Sequence, residues 1–193
     1  MSAPTSGVVG LYFIPDSLSP NAYQLLTDRL TKVHHPLPLP GWKIEHRLLR
    51  STAPSSPTSP DFLQHLDAPH ISPAPFVICG QSIITCDRDF LLILKTKLAS
   101  LWSHRQTIKV EGAGFEVEDW RIRIGRLGDK GTIVEVEFAA AQMLEQAEKV
   151  GREVVEGLGV TGGRWTWEKE KGEVWTVMDT GRVWAECLRM RNT

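Results

Sequence analysis

IRIGRLGDKGTIVEVEF, residues Ile122 to Phe138, places Gly125, Gly128 and Gly131 at every third position, and two readings compete for it. A phosphate loop of the Walker type needs its glycine-rich curve followed by Gly-Lys-Ser/Thr at the start of a helix, whose positive end faces the anion. Here the order is Lys130-Gly131-Thr132, with lysine and glycine transposed. TIVEVEF then alternates apolar and acidic residues with β-branched enrichment, which is the pattern of a strand. A strand in that place brings no helix dipole to the loop.

The hairpin reading pairs Arg126 with Thr132 and counts outward. Arg123 then meets Glu135 and Arg121 meets Glu137, while Ile124 faces Val134, Ile122 faces Val136 and Trp120 faces Phe138. One face is apolar and the other alternates opposite charges, so a single register satisfies both. Each opposed pair contributes about 0.2–1 kcal/mol relative to alanine, and a one-residue slip would exchange the faces. The stretch is a turn between strands, and Glu135 and Glu137 read as solvated ladder charges rather than an acid/base pair.

Working outward, 193 residues with 41% hydrophobic and 23% charged side chains suit a single domain over 1–193 that buries a sizeable core. A formal charge of −1 supplies no basic field for non-specific nucleic-acid binding. Cys79, Cys86 and Cys187 form an odd set without CxxC spacing, and no secretory h-region is seen, which is expected of a reducing compartment. No apolar run approaches the roughly 18 residues of a membrane helix.

The order of elements is read from pattern. Val8 to Ile14 is a short apolar strand, followed by a helix capped at Ser19 with Pro20 first and Ala22, Leu25, Leu26, Leu30 and Val33 on one face. Trp42 to Ser51 alternates as a strand. A Pro/Ser/Thr-rich flexible loop is expected over about 52–60, and 61–75 stays open between edge strand and irregular chain. Phe76–Cys79 and Ile83–Cys86 form a hairpin at Gly80-Gln81. Asp87 caps a largely buried helix running to Trp102.

A second hairpin is expected to fold back at Gly112-Ala113, opposing Val110 to Phe115, Ile108 to Val117 and Lys109 to Glu116. The shift of apolar parity between Val117 and Trp120 predicts a bulge near Glu118-Asp119. A helix follows, with Met143, Leu144, Ala147, Val150, Val154, Val155 and Leu158 on one face and the i,i+4 pairs Glu145–Lys149 and Glu148–Arg152 on the other. The aromatic tail from about 160 reads as a hairpin and a short helix capped by Asp179 or Thr180. Antiparallel meanders separated by helices define an α+β fold with a strongly curved sheet or open barrel.

Chemistry is sparse. The six histidines fit no HExxH pattern, His34-His35 sit at a helix end, and Cys79 and Cys86 lie in apolar runs. No catalytic, cofactor-binding or metal-ligating set is assigned. Trp165, Trp167 and Trp175, beside the charged run EKEKGE, are candidates for a partner surface, because interfaces are enriched in tryptophan; packing within the chain is the plainer reading.

GLYFIPDSLSPNAYQLL, WKIEHRLLRS, SIITCDRDFLLILKTKL and IKVEGAGFEVEDWRIRIGRLGDKGTIVEVEF follow one another in an order that resembles subunit 20 of the Mediator complex, most of all its fungal members. The resemblance covers most of Gly10 to Leu158 and implies a non-enzymatic nuclear protein of the RNA polymerase II machinery. It further implies a place in the Mediator head module, a direct pairing with subunit 18, a link to subunit 8, and no cofactor, membrane, direct nucleic-acid or small-molecule contact. By residue type rather than by the resemblance, Trp165, Trp167 and Trp175 are the expected contact residues, with Arg121 and Arg123 as second candidates. The competing class is an α+β barrel that binds or transforms a small molecule, which needs a cavity with convergent polar groups.

Overall fold

The computed structural model describes residues 7–53, 61–167 and 174–189. Along them run the strands β1 (Val8–Pro15), β2 (Leu37–Ser51), β3 (Phe62–Asp67), β4 (Phe76–Cys79), β5 (Ser82–Thr85), β6 (Trp102–Val117), β7 (Trp120–Arg126), β8 (Gly131–Phe138) and β9 (Arg164–Thr166). The helices are α1 (Ala22–His34), α2 (Phe90–Thr96), α3 (Leu144–Gly157) and α4 (Val177–Leu188). All strands join one antiparallel sheet in the order β5-β4-β3-β2-β6-β7-β8-β1-β9. Among the described residues its end strands do not pair, so the sheet is open. It curves around α4, which touches β1 and β9 towards one end and β3, β4 and β5 towards the other.

The β7–β8 hairpin has the register expected at every position from Trp120↔Phe138 to Arg126↔Thr132. The β4–β5 hairpin also turns at Gly80-Gln81, with Gly80 at φ +58°, although β5 is shifted by one residue to Ser82–Thr85. The Phe62–Asp67 segment, open in the sequence, is an inner strand between β2 and β4. The loop expected over 52–60 falls mostly on 54–60, outside the described residues.

The fold-back at Gly112-Ala113 does not form. β6 runs unbroken from Trp102 to Val117, and the chain reverses instead at Glu118-Asp119, where a bulge was expected and where Glu118 takes φ +52°. Val110 consequently lies opposite Ile44 and Phe115 opposite Ile122. The glycines serve close approach rather than a turn: a Cβ on Gly112 would stand 1.9 Å from the Ile124 carbonyl oxygen, and one on Gly125 2.7 Å from the Trp42 ring. With no turn in the middle, β2 and β6 form a long ribbon, and β2 starts at Leu37 with an irregularity at Pro40-Gly41.

The helices also depart from expectation. α1 begins at Ala22 behind Asn21, because Ser19 and Leu18 donate to the Pro15 carbonyl in a turn, and Val33 ends 65% exposed. Its end is fixed by His35 in the left-handed region, φ +45°. α2 is only seven residues long behind Asp89; Leu94 is buried but Leu92 and Ile93 are 61% and 45% exposed. The sheet takes Trp102 into the ladder opposite Ser51, which ends the helix early.

In α3, Met143 and Val150 are exposed, whereas Gly151 is buried; a Cβ there would stand 3.2 Å from Trp167. Arg152 pairs with Glu148 at 2.9 Å as expected. α4 is capped by Thr176, which accepts from the Asp179 amide while Asp179 accepts from the Thr176 amide, so the cap lies upstream of the expected one. β9 pairs with β1, and the turn of the expected tail hairpin falls on 168–173, outside the described residues.

Three apolar clusters result. On the α4 face, Leu11, Ile44, Leu66, Phe76 and Ile133 surround Val183, Trp184 and Leu188. On the opposite face, α1 and α3 cover Tyr12, Ile14, Ile122, Ile124, Val134 and Val136. The same opposite face of β2, β3 and β4 gives Leu49, Leu63 and Val77 to Leu94 of α2.

Candidate partner-binding site

Side chains alternate across a strand, so the register that puts Ile122, Ile124, Val134 and Val136 under α1 and α3 sends Arg121, Arg123, Glu135 and Glu137 to the α4 face. Sequence reasoning placed these charges in solvent. They are instead covered: Glu135 is 1% and Glu137 7% exposed. Arg121 donates to Glu137 at 3.0 Å, and Arg123 donates to Glu137 at 3.0 Å and to Glu135. The second oxygen of Glu135 lies 3.2 Å from Nε2 of His70 and accepts from the Trp184 indole N–H at 2.6 Å. Trp42 stands against both partners, its ring centre 5.3 Å from that of His70 and 5.8 Å from that of Trp184.

Burial opposes charge on Glu135, but Arg123 and then His70 beside it, with hydrogen bonds from His70 and Trp184, hold its carboxyl down at about 2. Arg123 is correspondingly pushed up by the two carboxylates, against its own burial. Glu135 and Arg123 therefore stay ionised across the physiological range, and the hydrogen bond from Trp184 to Glu135 ties the β7–β8 hairpin to the core helix. The cavity beside it measures about 50 Å³ and is lined by His70, Arg121, Arg123, Glu135 and Glu137 among others. That is room for a water or two, far below the roughly 300 Å³ of a small-molecule site. An open groove of about 1040 Å³ continues outward past Trp42, Lys43, Arg121 and Arg126.

A second polar core pair lies on β2 and β3. His46 is fully buried with Nε2 3.0 Å from the Gln64 side-chain oxygen, and burial lowers its pKa to about 4 against that hydrogen bond. His65 is lowered as well, by burial and then by Arg47. A histidine held neutral in the folded state binds its proton more tightly when unfolded, so stability falls as pH drops from about 6.5 to 4. Glu135 acts lower: its contribution is full above about pH 4.5 and is lost as pH falls towards 2. Urea midpoints are expected to decline from pH 6.5 downward, with His46 worth of order 3 kcal/mol. His46→Asn should flatten the part of the decline above pH 4.5, and an unchanged profile would remove His46 from the account.

The candidate tryptophans are placed as follows. Trp165 stacks on Trp167 with ring centres 5.1 Å apart and leans on Tyr12 at 5.0 Å, while the Arg152 guanidinium lies 5.4 Å from its centre. Trp167 fits over Gly10 and Gly151, where a Cβ at Gly10 would stand 2.2 Å from its ring. Both remain part-exposed. Trp175 is 3% exposed and donates to the Thr180 hydroxyl at 2.9 Å. Arg121 is part-exposed and Arg123 nearly covered, with 31% and 11% of their side chains open. The structure thus brings Arg121 and Arg123 together and gathers Trp165 with Trp167. His70 and Trp184, which complete the ion cluster, were not singled out by sequence. The cysteines are inert in character: burial pushes the Cys79 and Cys86 thiols up, and that of Cys187 to about 11. Among the described residues, no three His, Cys, Asp or Glu side chains group as a metal site.

By class the molecule is an α+β domain, a curved open antiparallel sheet held to a core helix by a buried ion cluster. Solved structures share this fold. A conserved hypothetical protein from Pyrococcus furiosus superposes with a TM-score of 0.51 at 13% identity, over 81% of this chain and 92% of its own. The PH1012 protein of Pyrococcus horikoshii OT3 gives 0.51 at 9%, over 80% and 91%, and the PH1819 protein of the same organism 0.50 at 9%, over 81% and 92%. At these identities the likeness concerns the fold alone, and the comparison with curated proteins finds no match. The family is given by sequence: the model described as Med20, TATA-binding related factor (TRF) of subunit 20 of Mediator complex, matches residues 7–189. The chain belongs to this family of Mediator subunits, non-enzymatic regulators of transcription that function in the nucleus.

Proposed function

We propose that this chain, of the fungal type, acts by docking rather than by chemistry, as a subunit of the Mediator head module. It forms a heterodimer with subunit 18, meets subunit 8 and the other head subunits through that pair, and helps connect regulators with RNA polymerase II. The family match over 7–189 carries this reading. Two features support it physically. The core under the curved sheet is filled by α4, and the cavity beside the buried ion cluster measures about 50 Å³. Apolar side chains also reach the surface around α2, where Ile84, Leu92, Ile93 and Leu101 are 45–61% exposed.

The chain works as one domain over 1–193, in the nucleus, without cofactor or direct nucleic-acid contact. Among the contact candidates, Trp165, Trp167 and Arg121 have surface to offer, while Trp175 and Arg123 act by holding that surface in place. The test is co-purification with subunit 18 of Trp165→Ala/Trp167→Ala and of Arg121→Ala, with folding checked by circular dichroism. Central contacts of this type are expected to weaken binding by 2 kcal/mol or so when removed. Full retention of subunit 18 by every one of these folded variants would remove them from the interface.

A further inference from the structure

The strand β6 is 16 residues long, but β7 pairs only with its Glu111–Val117 half. Along Trp102–Val110, β2 occupies one side, and among the described residues no strand pairs with the other. Such an edge presents a row of backbone donors and acceptors, a ready template for another strand. Beside it opens a cleft of about 520 Å³ between α2 and β6, lined by Leu49, Leu91, Leu94, Ala99 and Trp102, with Lys95 exposed above it. On the far face, Gln106 donates to the Leu188 carbonyl at the end of α4, so among the described residues that helix lies on the side away from the cleft.

The full charges on the edge strand itself are basic. Arg105 and Lys109 lie on the strand, with no acidic residue from Trp102 to Val110, and Lys95 lines the cleft. Glu45, across the ladder from Lys109, is paired with Arg47, which lines the cleft, so that pair adds no net charge there. We propose that the Trp102–Val110 edge takes an added strand from an extended, acidic segment of a partner, whose apolar side chains at alternate positions enter the α2–β6 cleft. In strand addition the backbone supplies affinity and the pockets for alternate side chains supply specificity, and both are present together here. This surface is distinct from the tryptophan and arginine candidates and does not depend on subunit 18 being the partner.

The probe is a fluorescein-labelled peptide of alternating glutamate and valine, matched in length to Trp102–Val110, with a lysine-valine peptide as control. Both are titrated into the full chain, co-purified with a partner subunit where that is needed for solubility, and amide hydrogen exchange is followed. The acidic peptide is expected to bind, the basic one not, and amides within 102–110 to gain protection. Arg105→Glu with Lys109→Glu should weaken binding by about tenfold or more at an unchanged circular dichroism spectrum. Exchange on the unaltered chain decides the matter if that variant does not fold. No binding, equal binding of both peptides, or protection elsewhere with 102–110 unchanged would overturn the proposal. The basic side chains would then serve only to keep sheet edges apart.

Discussion

Alanine at Glu135 is expected to lower the unfolding free energy by about 3–5 kcal/mol, a large part of what a domain of this size has. The carboxylate is the common acceptor for Arg123, His70 and Trp184. Removing it leaves the Arg123 guanidinium buried with Glu137 alone, and the buried Trp184 indole N–H without its acceptor. The penalty comes from the groups left behind rather than from the net worth of the ion pair, since a buried pair gains little over well-packed apolar residues. Glu137→Ala should cost less, because its second partner, Arg121, is 31% open to water. Urea unfolding of the two variants measures the difference. Equal small losses would mean that water reaches the cluster.

Trp184→Ala is expected to cost a similar amount, about 3–5 kcal/mol, by a different route. Trp184 is fully buried on α4, packs edge-on to Trp42 and belongs to the cluster shared by strands from both ends of the sheet. Its loss opens a cavity in the element that the sheet curves around, so unfolding should become easier globally rather than locally. Because Trp184 and Glu135 share a 2.6 Å hydrogen bond, the double variant should lose less than the sum of the two, by about 1–3 kcal/mol. Strict additivity would deny the coupling between core helix and hairpin.

What could be read from sequence follows from where two constraints agree. In the β7–β8 hairpin the apolar set and the charge set demand the same register, so the pairing was legible to the residue. Gly112 carries only one constraint, the absence of a side chain, and that serves a turn or a close approach equally well. Pattern alone favours the turn, whereas in the structure the Ile124–Gly125 backbone fills the space. The leucine-rich run from Phe90 to Trp102 has the pattern of a long buried helix because periodicity reports a face, not what covers it; the sheet takes Trp102, and Leu92 and Ile93 stay outside.

Burial of Glu135 and Glu137 was hidden for a related reason. Alternating charges look solvated until a distant segment lies over them, and here that segment is α4, some 50 residues downstream. One signal was available: Trp184 and His70 each carry a donor that a core position must satisfy, and the nearby sheet offered carboxylates. The sheet edge at Trp102–Val110 is illegible in the sequence, since a fold-back at Gly112 would cover it.

The measurement that bears most directly on the central claim, that this chain works by docking to a partner subunit, is size-exclusion chromatography with light scattering after co-expression with the matching subunit 18. The account predicts a one-to-one complex, together with self-association or insolubility of the chain alone, because its exposed apolar surface is then unpartnered. A well-behaved monomer that elutes apart from subunit 18 would contradict it.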